Sequence, residues 1–279
     1  MRQTLKKYAP ILLGKKLSAQ FLIAPKKAIY KAFLLFSTPQ KGRVTLEQSY
    51  FLEDAEDEVI PVKEVFVQTY RWPGNRETIL LIHGWESNSH RWKALVEKLQ
   101  QQNYTVIAFD APAHGNSSGK ILNVPLYAEA LQKIIQLYRP NYTIAHSVGG
   151  MASIFNSFLY KNPEIEKKVI LAPPAELSEI MANYQQMLRF SDKFLQRLNS
   201  FFKEQFGYHF EEFSMPTFAK EISTPALLIH DKFDDITPHQ GTQKIHQNWE
   251  NSKLVLTENF GHSLFFDEVD DMILDFLKK

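Results

Sequence analysis

YTIAHSVGG, residues 142–150, decides the fold of this 279-residue chain. Residues 142–145 have the composition of a buried strand. They run through His146, Ser147 and Val148 into Gly149, Gly150 and the helical pattern of residues 151–160 with no linker between. A strand that turns into a helix within one or two residues forces the turning residue into a strained backbone. It also demands small neighbours on either side. Ala145, Gly149 and Gly150 supply them, with alanine where a G-x-S-x-G pattern has its first glycine.

Outward from this turn, short apolar runs recur at residues 79–82, 106–109, 169–172, 226–229 and 254–256, separated by helix-length segments. Continuous apolar runs alternating with helices are what a parallel sheet covered on both faces requires. Trp92, Leu95, Val96 and Leu99 recur at helical spacing, as do Leu126, Ala130, Leu131, Ile134 and Ile135. Asn88 or Ser89 can cap the first of these helices. Ahead of the repeating units, residues 50–52 and 62–70 read as an antiparallel hairpin around an acidic turn at 53–58. One connection breaks the rhythm: about forty-five residues, 176–220, rich in Phe and Met, read as an inserted helical lid. Their aromatics are expected to pack the lid against the body, a few of them lining an apolar pocket.

Composition narrows the class. The chain has no cysteine, which removes disulfides and thiolate chemistry and agrees with a cytoplasmic setting. Its net charge of +1 conceals an asymmetry, because residues 1–43 hold ten Lys or Arg and no acid. This basic extension reads as an amphipathic helix packed on the body or on a second subunit. The other reading is peripheral contact with anionic lipid, through Lys6, Lys7, Lys15, Lys16, Lys26 and Lys27 with Ile11, Leu12, Phe21, Leu22 and Ile23 inserted. Its early apolar run is too short for a signal peptide. Basic charge confined to this segment, with no accompanying motif, argues against nucleic acid.

A serine hydroxyl needs a base, and the base needs a carboxylate to orient it. His262 is the candidate base, in a loop between the strand at 254–256 and the last helix. His230, His239 and His246 lack that placement. Asp234, in the turn after the strand at 226–229, is the candidate acid, with Asp235 its rival. Residues 171–174 offer no aspartate at the preceding strand end. A sharp turn at Gly84 sets the Trp85 amide beside that of Val148 at the helix start, two donors for an oxyanion, and leaves His83 a structural role. No metal-ligand spacing and no phosphate-binding glycine loop is present, so no cofactor is expected.

Five segments together, LLIHGW (80–85), FDAPAHGNSSG (109–119), AHSVGG (145–150), LLIHDKFDDITP (227–238) and FGH (260–262), resemble the α/β-hydrolase superfamily. The resemblance implies an α/β fold with a central, mostly parallel sheet flanked by helices and a helical lid after the sixth strand. It also implies a structural role for the 109–119 turn, tied by Asp110 and allowed by Gly115, with Ala113 replacing a common glycine. The organisation expected is an extension at 1–43, core at 44–175, lid at 176–220 and core again at 221–279. The function expected is a serine hydrolase that cleaves an ester of an apolar acyl chain through an acyl-serine. An acyltransferase or thioesterase with the same triad, or a non-catalytic binding protein, are the alternatives. A dehalogenase would carry aspartate where Ser147 stands.

Overall fold

The computed structural model describes residues 2–278, with side chains from Tyr8 onward; the side chains of Lys6 and Lys7, assigned above to a lipid contact, lie outside the described residues. The chain begins with α1 (Arg2–Ile23), α2 (Pro25–Ser37) and α3 (Leu46–Leu52), followed by β1 (Glu56–Val62), β2 (Val65–Trp72) and β3 (Thr78–Ile82). A 3₁₀ turn at Ser89–Trp92 leads into α4 (Lys93–Gln101), β4 (Thr105–Phe109), α5 (Val124–Tyr138), β5 (Tyr142–His146), α6 (Val148–Leu159) and β6 (Lys167–Leu171). Then come α7 (Leu177–Leu188), α8 (Asp192–Phe206), α9 (Met215–Ala219), β7 (Ala226–Asp231), α10 (His239–Asn248), β8 (Ser252–Thr257) and α11 (Asp267–Lys278). These elements divide into two compact units, Pro39–Ala175 with Met215–Lys279, and Met1–Thr38 with Glu176–Ser214.

The larger unit is the α/β body expected from the apolar runs. Its eight-stranded sheet has the order β1-β2-β4-β3-β5-β6-β7-β8. β1 and β2 are antiparallel to each other, β2 is antiparallel to β4, and all later pairs are parallel. Every residue of β4, β5 and β7 is buried, as strands covered on both faces must be. Parallel pairing in register, Ile82 with Ala145, His146 with Leu171 and Asp231 with Thr257, brings the carboxyl ends of β3, β5, β6, β7 and β8 to one edge. Loops at that edge are where open parallel sheets bind ligands.

The opening hairpin differs from the sequence expectation. Residues 50–52 are the end of α3, and the hairpin is β1 and β2 joined at Lys63–Glu64, with Lys63 at φ +48°. The helix wins because Thr45 and Gln48 form a reciprocal capping box: the Thr45 hydroxyl accepts the Gln48 amide, and the Gln48 side chain accepts the Thr45 amide. Phe51 then stacks on Trp72 at 5.1 Å, and Leu52 is buried. The other helix signals hold: the Asn88 side chain caps the 3₁₀ turn before α4, and Asn123 caps α5 by accepting the Leu126 amide.

The smaller unit joins the basic extension to the inserted segment. Along α2, Ala28, Ile29, Ala32 and Phe33 form a buried stripe. Phe33 meets Phe201, Phe202 and Phe206 at 5.4–5.8 Å, Phe36 meets Tyr184 at 5.2 Å, and the Tyr184 hydroxyl donates to the Ala32 carbonyl at 2.8 Å. The aromatics of the inserted segment, expected to pack against the body, are thus largely engaged with the extension. Each such ring removed from water is worth roughly 1.5–3 kcal/mol. Residues 215–219, assigned to the lid above, group with the body, where Phe218 packs on Phe155 and Phe158. No helix is long and apolar enough to cross a membrane among the described residues.

α1 lies so close to the end of α7 that a Cβ on Gly14 would fall 1.8 Å from the Leu188 carbonyl oxygen. Gly14→Ala must therefore push the helices apart, at a cost of roughly 1–3 kcal/mol for overpacking. Hydrogen exchange is expected to rise in α1, α2 and α7 of that variant while the β3–β7 amides keep wild-type protection. Unchanged exchange in α1 would contradict the packing described.

Candidate active site

The turn after β5 is as abrupt as its sequence demands. Ser147 has φ +53° and ψ −125°, a strained combination for a residue with a side chain. Its amide donates to the Leu171 carbonyl at 2.8 Å, which fixes the turn against β6. The flanking residues are small because space is absent. A Cβ on Gly149 would sit 2.4 Å from the His83 carbonyl oxygen, and one on Gly84 would sit 2.9 Å from the Ser147 Cβ. Ala145, where glycine is usual, is fully buried and accommodated.

Ser147, His262 and Asp234 come from three loops and meet. The Ser147 hydroxyl donates to His262 Nε2 at 3.0 Å, and His262 Nδ1–H donates to Asp234 Oδ2 at 2.7 Å. An ionised carboxylate only accepts, so this contact fixes the tautomer that leaves Nε2 free to take a proton. Asp235, the rival acid, is exposed, whereas the Asp234 side chain is buried. The third acid of that turn, Asp231, accepts from the Phe260 amide and the Thr257 hydroxyl, both at 2.9 Å, and ties β7 to the loop carrying His262.

Asp234 carries more partners than the sequence revealed. Its Oδ1 accepts the Ile236 and Thr237 amides at 2.8 and 2.9 Å, and its Oδ2 also accepts the Thr237 hydroxyl at 2.9 Å and His230 Nε2–H at 3.0 Å. His230, set aside above, is thus buried against the same carboxylate as His262, with its Nδ1 2.6 Å from the Thr242 hydroxyl. Burial pushes the Asp234 carboxyl up, but the hydrogen bonds from His230, His262 and the two amides outweigh it and hold it well below the usual carboxylate range.

The loop carrying His262 is itself irregular, with Asn259, Gly261 and Leu264 at φ +65°, +64° and +51°. Two side chains hold it. His146 Nε2–H donates to the His262 carbonyl at 2.9 Å, and the Arg91 guanidinium donates to the Ser263 carbonyl at 3.0 Å. Burial, with Arg91 and His262 nearby, pushes the His146 pKa well down, so it holds this loop as a neutral donor. The sequence shows neither role. The only signal was the placement of a histidine next to Ser147, which serves equally well as filler.

On the other side of Ser147, His83 donates from Nδ1 to the Gly84 carbonyl at 2.7 Å and accepts the Ala111 amide on Nε2 at 2.9 Å. It is fully buried, and burial, with His114 beside it, pushes its pKa well down. The next turn is fixed by His114, whose Nε2 accepts the Glu86 amide at 3.0 Å. Trp85 lies between these anchors, and Val148 is the first residue of α6, where an amide has no acceptor within the helix. Asp110 receives the Ser89 amide and hydroxyl, the Tyr70 hydroxyl and the Asn116 amide at 2.8–2.9 Å, and Gly115, at φ +48°, turns directly against its carboxylate. Ala113 occupies the left-handed region at φ +66° without glycine. Among the described residues no group of three or more His, Cys, Asp or Glu is placed to hold a metal ion.

Comparison with known proteins extends these observations. Residues 73–208 match the family described as "Serine aminopeptidase, S33", and residues 211–279 match "TAP-like protein". Monoacylglycerol lipase ABHD6 of mouse is 24% identical over 74% of this chain and 76% of its own length. Among solved structures, the Pyrococcus furiosus esterase Pf2001 is 22% identical, with a TM-score of 0.66 over 86% of this chain and 98% of the esterase. A putative lipase of Acinetobacter baumannii is 18% identical, with a TM-score of 0.65 over 84% and 96%.

The environment of Asp234 predicts a pH-dependent stability. Its folded pKa lies below the unfolded value of about 3.9, so its contribution is full above that value and is lost as pH falls toward the folded value. The stability gap between wild type and Asp234→Asn, measured by urea unfolding, is expected to be larger at pH 7 than at pH 3. An equal gap at both would contradict the assignment of these hydrogen bonds to the ionised carboxylate.

Proposed function

The chain belongs to the α/β-hydrolase superfamily, and on that premise we propose that it is a serine esterase acting on esters of apolar acyl chains. The observation that carries the reading is the continuous set of hydrogen bonds from the Ser147 hydroxyl through His262 to Asp234. The acyl preference is supported by the resemblance to a protein named monoacylglycerol lipase over three quarters of both lengths.

In this mechanism the Ser147 oxygen attacks the acyl carbonyl carbon as its proton passes to His262 Nε2. Asp234 accepts from Nδ1–H throughout and stabilises the imidazolium that forms. The amides of Trp85 and Val148 take up the charge on the carbonyl oxygen. Collapse breaks the ester C–O bond, and His262 delivers the proton to the departing alcohol. Water then repeats the sequence on the acyl-serine and releases the acid. The reaction balances without a cofactor.

Two measurements test it. A fluorophosphonate probe is expected to label wild type and to leave Ser147→Ala unlabelled; absence of label on wild type would sink the mechanism. With a p-nitrophenyl ester, Asp234→Asn is expected to lower kcat by roughly 10⁴-fold, while Asp235→Asn stays within about threefold because its side chain faces solvent. Equal losses in the two variants would remove Asp234 from the mechanism.

A further inference from the structure

The outer face of α1 carries a pattern that the ester chemistry does not use. Tyr8, Leu12, Lys15, Lys16, Ala19, Leu22 and Ile23 are exposed and recur every three or four residues, so they share one side of the helix. Gly14 and Leu17 are buried on the opposite side, and Phe21 turns that way to meet Phe194 at 4.9 Å. The exposed apolar residues are large and nearly free of contact: Leu22 is 86% and Ile23 89% accessible. They stand at the corner where α1 ends and Pro25 starts α2, and exposed Lys26 and Lys27 follow them directly.

Charge says what this face fits. No acid occurs in residues 1–43, and none of Lys15, Lys16, Lys26 and Lys27 is in an ion pair among the described residues. Glu204 and Glu212 of the same unit are already engaged, with Arg197 and Lys203. A face of leucine and isoleucine among unpaired lysines matches a surface that is apolar just beneath an anionic layer. Lysine stems lie along such a surface and carry their ammonium groups to the phosphates.

We propose that the outer face of α1, with the start of α2, docks this protein on an anionic phospholipid bilayer. Leu22 and Ile23 insert at the headgroup boundary, and the four lysines meet lipid phosphates. This narrows the two readings of the extension to a division of labour between its faces. Ala28, Ile29, Ala32 and Phe33 hold it in place within its unit, Phe21 is removed from the lipid contact, and only the outer face remains for the membrane. Because the extension and residues 176–214 form one unit, a lipid contact would carry the inserted segment to the membrane surface with it.

Sedimentation of the full chain with vesicles of phosphatidylcholine alone, or containing phosphatidylserine, tests the proposal without any reference to catalysis. Wild type is expected to bind the anionic vesicles and not the neutral ones, and binding should weaken as salt rises. Leu22→Glu/Ile23→Glu and Lys15→Glu/Lys16→Glu/Lys26→Glu/Lys27→Glu are each expected to weaken binding at least about tenfold with unchanged circular dichroism. All of these positions are exposed, so the fold should tolerate the substitutions. Failure of wild type to bind anionic vesicles would overturn the proposal, as would wild-type binding by both variants. A wild-type dimer that Leu22→Glu/Ile23→Glu converts to monomer, with no vesicle binding, would assign the face to a second copy of the chain instead.

Discussion

The backbone of Ser147 is the constraint on which the body of the protein depends. Holding a residue with a side chain at φ +53° and ψ −125° costs of order 1–3 kcal/mol, and such strain persists only where the surroundings over-determine it. Here they do. β5 is buried on both faces and paired with β3 and β6, so the chain arrives at Ser147 with no freedom to drift. Its amide is taken by Leu171, Gly149 lies against the ends of β3 and His83, and Gly84 lies against the serine itself. A methyl group at either glycine would have nowhere to go. The apolar burial of the sheet thus fixes one hydroxyl at the carboxyl edge, 3.0 Å from His262 Nε2.

A second network meets the elbow at the same edge of the sheet. The Asp234 carboxylate is buried and ionised because two backbone amides, a threonine hydroxyl and two imidazoles converge on it. Sharing it between His230 and His262 fixes the carboxylate plane, and with it the ring that reaches Ser147. The loop bearing His262 has three left-handed residues within six positions, and the His146 and Arg91 donors hold its carbonyls where the turn alone would not. His146 belongs to the same strand end as Ser147, so the residue before the serine also helps seat His262. Position is what this arrangement supplies.

Much of this was legible in the sequence, and the failures are instructive. Strand positions in the centre of the sheet followed from uninterrupted apolar runs, because burial on both faces leaves no polar alternation to confuse the pattern. That Ser147, Asp234 and His262 lie close together was readable because each falls at a strand end in the chain order that such a sheet imposes. Residues 50–52 misled because Tyr-Phe-Leu has strand-like composition, while the Thr45 and Gln48 capping box that decides the matter lies upstream of the run. His230 and His146 were missed because their roles depend on which side of a strand end the ring falls, and a periodicity argument does not resolve that. The contacts that the inserted segment's aromatics make with the extension were hidden for a similar reason. A buried Phe reports that something covers it, and the sequence does not say that Phe33 and Phe36, some 150 residues earlier, are what does so.

The central claim is that the elbow, the shared carboxylate and the clamped histidine serve one event, transfer of an acyl group to the Ser147 oxygen. Acid-quenched turnover of a p-nitrophenyl ester, followed by peptide mass spectrometry, observes that event directly. The account predicts a mass increase of one acyl group, confined to the peptide containing Ser147 and absent from His262→Gln. Ester turnover with no acyl adduct at Ser147, or with the adduct on another residue, would contradict it.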